Sequence, residues 1–184
     1  MQKNHYGRRP ELKEDNMKFT YCPDCGEKLI PKTLGDEGDV PFCEGCNRPF
    51  FPMFSTCVIC LCVNEYGEIA LIKQSYMTTE HYILVSGYIK PGETAEYTAV
   101  REIEEEIGIK PESCHFAMSV YYEKRDQLML GFICKAVKTD LKLSCEVAEA
   151  KWCPENEVLK NLRGGSITVQ LFNKYLELKD LNKL

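Results

Sequence analysis

The chain has 184 residues, 44% of them hydrophobic and 28% charged, a composition that fits one folded domain plus a small attached module. Its formal net charge of -5 argues against a sequence-independent nucleic-acid binder, which needs a basic surface to neutralise phosphates. No apolar run approaches the roughly 18 residues of a membrane span, and residues 1–18 lack the apolar core of a signal peptide. The expectation is a cytoplasmic protein with no membrane partner.

In chain order, residues 1–18 read as a loosely attached tail. Residues 19–50 are Cys-rich and turn-rich, with too little apolar content to fold without a staple. Cys22–Cys25 and Cys43–Cys46 are two C-x-x-C pairs separated by 17 residues, a spacing that suits a four-thiolate zinc site. Four thiolates close the tetrahedron and leave no open position, so such a zinc ion is structural. The segment resembles a zinc ribbon, a module that often touches nucleic acid or protein partners. Of the remaining cysteines, Cys57, Cys60, Cys62 and Cys134 lie in strand-like runs and are expected to be buried as small apolar side chains.

A second domain is expected over 51–184. Thr56 to Val63 is a continuous apolar run that predicts a buried strand. A turn over 64–67 leads to a hairpin partner at 69–73, and 82–85 predicts a third strand ending at Ser86-Gly87. After the Pro91-Gly92 turn, 94–107 predicts a helix. Residues 116–122 and 128–136 form a second expected hairpin, and 149–153 a last strand. Ser166 is the expected N-cap of a terminal helix carrying Ile167, Leu171, Phe172 and Tyr175 on one stripe. Strands mixed with two such helices predict an α/β fold with a sheet covered by helices.

The central helix carries an unusual load. Glu102, Glu105 and Glu106 share a sector of roughly 100°, while Val100, Ile103 and Ile107 face the other way, toward the sheet. Like charges at these spacings repel, and acidic groups near a helix C-terminus oppose its dipole. Bound Mg2+ or Mn2+ offsets both costs. Arg101 is placed to hold one of the carboxylates in its fork.

From Gly87, five residues lead to Glu93 and seven more to the stretch Arg101 to Ile109. The chain thereby resembles the Nudix hydrolases at every fixed position of their box, G-x5-E-x7-R-E-U-x-E-E-x-G-U, where U is aliphatic. The resemblance implies a Nudix α/β/α sandwich with a mixed sheet, and a catalytic set of Glu93, Arg101, Glu102, Glu105 and Glu106. In that family the helix glutamates hold divalent ions that bridge a substrate diphosphate, and Gly87 lets a backbone carbonyl join them. Glu105 and Glu106 are then ligands and Glu102 a ligand or the general base.

Within the family, a four-cysteine ribbon before the hydrolase domain resembles the NADH pyrophosphatases. Phe51-Pro52 is similar to their entry segment, and Glu146 to Trp152 to their late E-x-x-E-A-x-W strand. That likeness adds Glu149 as a metal ligand. Their specificity signature, S-Q-P-W-P-F-P-x-S, is replaced by residues 119–127, where only Ser119 matches and Tyr122 stands in for the tryptophan. Lys124 and Arg125 add positive charge there. Tyr82, Tyr121, Tyr122 and Phe132 are the candidate pocket aromatics, each with a core role as the alternative. The implied activity is hydrolysis of a diphosphate bond in a nucleotide derivative: NAD(H), ADP-ribose, another nucleotide sugar, a dinucleotide or NAD-capped RNA. The resemblance also implies a homodimer. The competing reading is a non-catalytic nucleotide sensor or adaptor whose ribbon binds nucleic acid or protein.

Overall fold

The computed structural model describes residues 19–76 and 80–183; the tail expected over 1–18 lies outside them. The chain divides into two compact units, one ending at Met53 and the other Phe54–Leu184.

In the first unit, strands β1 (Ile30–Thr33), β2 (Asp39–Cys43) and β3 (Arg48–Pro49) form an antiparallel sheet in that order. The sequence suggested turns here rather than strands. These strands are short and largely exposed, so no hydrophobic alternation announces them. The unit's core is correspondingly small: Cys22, Leu29, Cys43 and Phe50.

The second unit is built on β4 (Ser55–Val63). It runs parallel to β8 (Gln127–Lys135) on one side. On its other side lie β6 (Val85–Tyr88) and β5 (Glu68–Gln74), both antiparallel to it. Strand β7 (Ser113–Tyr122) adds to β8, and β9 (Val147–Pro154) adds to β5, giving the order β7-β8-β4-β5-β9 with β6 paired to β4. The expected third strand is shifted: Tyr82 and Ile83 make isolated bridges, and the continuous ladder begins at Val85.

Helix α1 (Ala95–Ile107) covers one face and α3 (Ile167–Asp180) the other, with a short α2 (Val158–Asn161) between β9 and α3. Side-chain alternation along β4 feeds both layers. Val58, Cys60 and Cys62 join Ala99, Ile103 and Ile107 of α1. Ile59, Leu61 and Val63 join Leu171, Phe172 and Tyr175 of α3. Burial on both faces is why β4 reads as an unbroken apolar run. Val100, expected to pack on the sheet, is only half-buried; Thr98 and Ala99 take that role.

Cys114 and Cys134 stand opposite each other on β7 and β8 and form a disulfide. This corrects the expectation that Cys134 is a free buried thiol. The pairing depends on the register of two strands, which the spacing of the cysteines does not show. Cys57, Cys60 and Cys62 are buried and free as expected, and burial raises all three thiols above their ordinary range. Among the described residues, no helix is long and apolar enough to cross a membrane.

Ser166 caps α3, its hydroxyl accepting from the Val169 amide at 3.3 Å. Replacing it with Ala is expected to lower stability by about 1 kcal/mol, read as a lower urea midpoint with an unchanged denaturant slope.

Candidate active site

Helix α1 starts where the 91–94 segment turns the chain back toward the sheet. Thr94 caps it, accepting from the Tyr97 amide, and Glu93 just before the cap is engaged on every side. Its carboxylate accepts from the Lys90 amide at 3.1 Å and from the Thr98 hydroxyl at 2.9 Å. It also takes both Nε and Nη2 of Arg101 at 2.9 Å, a two-pronged fork. The Arg101 hydrogen bonds, above all, lower Glu93 to about 2. Arg101 continues outward: Nη1 donates to Glu102 and to Glu105, each at 2.8 Å, and Nη2 to the Tyr88 carbonyl at 3.2 Å. One guanidinium thus ties together the loop, the helix and the end of β6. Glu93 and Arg101 position the other groups.

The remaining glutamates differ in exposure. Glu105 is open to solvent, whereas Glu102 and Glu106 are buried at 9% and 4% exposure. Glu102 owes its place to Gly87. A Cβ on residue 87 would fall 2.0 Å from the Glu102 carboxyl carbon, so only glycine admits this side chain against β6. Burial raises Glu102 above the usual carboxylate range. Glu106 is pushed further, to about 8, by burial and then by the charges of Glu102, Glu146 and Glu105. Its Oε2 atom is buried with no hydrogen-bond partner. A buried carboxylate oxygen without a donor, beside further carboxylates, has the chemistry of a hard-cation ligand.

The expected site residues separate into those gathered here and those placed elsewhere. Gly87, Glu93, Arg101, Glu102, Glu105 and Glu106 come together. Glu149 instead pairs with Lys73 at 3.0 Å and accepts from the Tyr82 hydroxyl. Tyr82 itself is mostly buried, with Lys73 and Lys151 at 4.4 and 4.1 Å from its ring centre. The acidic neighbour whose charge acts on Glu106 is Glu146, three residues earlier. Alternation along β9 sets Glu149 apart: Ala150 and Trp152 pack into the α1 layer and Cys153 into the α3 layer, so Glu149 lies on the face away from α1. The ladder between β5 and β9 slips at Lys73/Gln74, opposite Val147 and Glu149, so side-chain parity reverses there and Val147 joins the α1 layer. Phe132 is 1% exposed and packs in the core against Phe116, with no surface for a ligand. Tyr122 is half-buried at the end of β7. An aromatic the sequence analysis passed over, Tyr88, lies beside the site at 56% exposure. Tyr88 lines an open groove of about 470 Å³ with Phe54, Ser55, Thr56, Ile89 and Lys90. Its position directly after Gly87 was the available signal.

The family model for the NUDIX domain matches residues 53–171. The chain belongs to the NUDIX family. Similar proteins include the NAD-capped RNA hydrolase NUDT12 of Homo sapiens, 28% identical over 80% of this chain and 34% of that one. Another is the NAD-capped RNA hydrolase NudC of Photobacterium profundum, 25% identical over 94% of this chain and 64% of that one. The chain therefore spans only about a third of the human relative and under two thirds of the bacterial one. Among solved structures, a NUDIX hydrolase from Nitrosomonas europaea matches with a TM-score of 0.68 and 20% identity, covering 90% of this chain and 94% of that one. The NUDIX domain of Shewanella oneidensis NrtR, solved with ADP ribose, matches with a TM-score of 0.60 and 17% identity, over 69% and 89%. Both show the same fold.

Apart from the NUDIX box, the other candidate metal centre is the cysteine cluster in the first unit. The sulfurs of Cys22, Cys25, Cys43 and Cys46 all lie within 4.8 Å of one another. Two of the separations are 3.8 Å (Cys22 to Cys46) and 3.4 Å (Cys25 to Cys43). Tetrahedral zinc with bonds near 2.3 Å places its sulfurs about 3.8 Å apart, so the four thiols are already near the geometry such an ion requires. The Cys46 amide donates to the Cys43 sulfur at 3.3 Å.

The Glu106 environment has a direct consequence for stability. A carboxyl at about 8 in the folded state and near its ordinary value when unfolded favours folding while neutral. Raising the pH from about 4.5 to about 8 then removes stability from the metal-free protein, on the order of a few kcal/mol. Glu106→Gln stays neutral throughout. Its urea midpoint is expected to equal wild type near pH 4.5 and to exceed it progressively up to pH 8. Equal midpoints at both pH values would contradict the burial of this carboxyl.

Proposed function

We propose that the protein is a divalent-metal-dependent hydrolase that cleaves the diphosphate bond of a nucleoside-diphosphate derivative. The observation that carries this is the unpartnered, buried Oε2 of Glu106 beside Glu102, which occupies the space left by Gly87. Glu102, Glu105 and Glu106, joined by Glu146, are the residues that would hold Mg2+ or Mn2+. The chemistry such an ion supplies is charge neutralisation at the phosphates and a lower pKa for the attacking water. Water oxygen bonds to one phosphorus, the bridging P–O bond breaks, and two phosphate monoesters leave. The water's proton passes to a carboxylate of the same cluster, with Glu102 or a neighbour as the base. Arg101 keeps the carboxylates from rotating away, and Glu93 keeps Arg101 in place.

The substrate class follows from the relatives and the groove together. Those relatives are named for NAD-capped RNA hydrolysis. Tyr88 and Phe54 offer apolar ring surface to a base or a nicotinamide. NAD(H) heads the list, followed by ADP-ribose and NAD-capped RNA. The proposal includes structural zinc in the cysteine cluster, a cytoplasmic location and a homodimer.

Turnover of NADH, ADP-ribose and NAD-capped RNA with Mg2+ or Mn2+, with product analysis, tests the activity. Glu106→Gln is expected to cut kcat by about 100-fold or more while the protein stays folded. Tight nucleotide binding with no turnover of any substrate would overturn the hydrolase assignment. For the ribbon, elemental analysis is expected to find one zinc per chain. Cys43→Ser should abolish it without changing the fold of residues 54–184.

A further inference from the structure

Tyr88 is joined to the carboxylate site by its own backbone. It follows Gly87, which lies against the Glu102 carboxyl, and its carbonyl accepts from Arg101 Nη2 at 3.2 Å. Its ring is 56% exposed and lines the groove with Phe54, Ile89 and Lys90. An exposed side chain at the end of a strand ordinarily exchanges rotamers freely. This one is held at its far end: the Tyr88 hydroxyl accepts from Gln127 Nε2 at 2.8 Å.

Gln127 is itself only 7% exposed. Strand β4 lies between the two partners, with Ser55 paired to Gln127 on β8 and Cys57 paired to Tyr88 on β6. The Gln127 side chain therefore reaches over β4, and its amide also donates to Cys57 Sγ at 3.6 Å. A buried amide is unfavourable unless it is bonded. Packing alone asks for an apolar side chain at this position, since Met129, two residues on and on the same face, packs into the α3 layer. Of the two acceptors that the amide meets, sulfur is a weak one. What the glutamine adds over an apolar residue is the bond to Tyr88.

We propose that Gln127 is a positioning residue, which fixes the Tyr88 ring as a preformed platform for a planar ring of the substrate. This rests on the activity toward nucleotide derivatives proposed above. A ring already held in one rotamer loses no further freedom when the substrate stacks on it, and that loss otherwise weakens binding. The Gln127 hydrogen bonds go to Tyr88 and Cys57 and not to the glutamates or Arg101. The gain therefore falls on binding and not on the chemical step. The stacked ring is a purine or a nicotinamide, which share the flat face that the platform reads.

Turnover of NADH by Gln127→Met, Tyr88→Phe and the double variant provides the test. Methionine keeps the length and burial of the glutamine without the amide, and phenylalanine keeps the ring without the hydroxyl. Each single variant is expected to raise KM about 3- to 10-fold with kcat within about two-fold of wild type. The double variant should be no worse than either single one, because both changes break the same bond. Losses that multiply in the double variant, a fall in kcat at unchanged KM, or an unchanged KM in Gln127→Met would overturn the role. Should Gln127→Met fail to fold, Gln127→Asn replaces it, keeping an amide that is one methylene too short to reach the phenol. Equilibrium titration with AMP and with nicotinamide mononucleotide, which have no diphosphate to cleave, reads the platform without turnover, and the one that responds identifies the ring. If wild type leaves NADH and ADP-ribose intact, the hydrolase assignment fails. Affinity for either mononucleotide that drops about 3- to 10-fold in both single variants, and no further in the double one, would still support the anchor. Wild type that binds neither, or binds both no better than Gln127→Met, would refute it.

Discussion

The Arg101–Glu93 fork is the constraint on which the site depends. Helix α1 brings four glutamates into five residues, and without a compensating cation they would repel and fray the helix toward its C-terminal end. Arg101 is that cation, but it is useful only because Glu93 fixes its plane. Glu93 in turn is held by the Thr98 hydroxyl and the Lys90 amide, so the loop before the helix and the helix itself determine each other. The fork leaves Nη1 free to reach Glu102 and Glu105, and none of the Arg101 hydrogen bonds goes to Glu106. The selectivity is chemical. The charges that must be oriented are tethered, and the buried carboxylate remains available.

Much of this could be read from residue order, because both helices and the long strands bury enough apolar surface to leave a periodic trace. The α1 cap at Thr94, the α3 cap at Ser166, and the run of β4 are local signals that tertiary packing reinforced. The box at Gly87, Glu93 and Arg101 was equally visible, since fixed spacing along one loop and one helix survives folding unchanged. The reason for Gly87 was only half visible. A glycine before a carboxylate helix suggests a close backbone approach. That the approaching group is the Glu102 side chain itself appears only when β6 and α1 are packed together.

What stayed hidden depends on register between distant segments. The Cys114–Cys134 bond joins residues 20 apart whose alignment is set by the whole β7–β8 ladder, including its irregularity near Phe116. Which face of the sheet Glu149 takes is likewise set by packing: Ala150 and Trp152 join the α1 layer, so Glu149 lies on the other face, paired with Lys73. Counting by twos along β9 holds for residues 149–153 but fails at the bulge opposite Lys73/Gln74, beyond which Val147 returns to the α1 layer. For Phe132 the sequence left pocket wall and core both open, since an aromatic flanked by apolar residues reads alike in either; it lies in the core. Tyr88 was missed because the box pattern leaves its position unspecified, although the fold exposes it next to the site.

Glu106 shows what the fold gives up for the site. A buried carboxylate near three others, with one oxygen unpartnered, is an unfavourable arrangement in a protein that gains nothing from it. An apolar residue there would be buried at no electrostatic cost. The same carboxylate next to a divalent cation is satisfied, and its burial then strengthens the attraction by excluding water. The local instability and the capacity to bind a metal are one property viewed in two states. That also explains why the surrounding scaffold is so heavily buried. Ala99, Ile103 and Ile107 of α1 are each 0% exposed, and packing this complete on the sheet side holds Glu106 in place when no cation is there to do so.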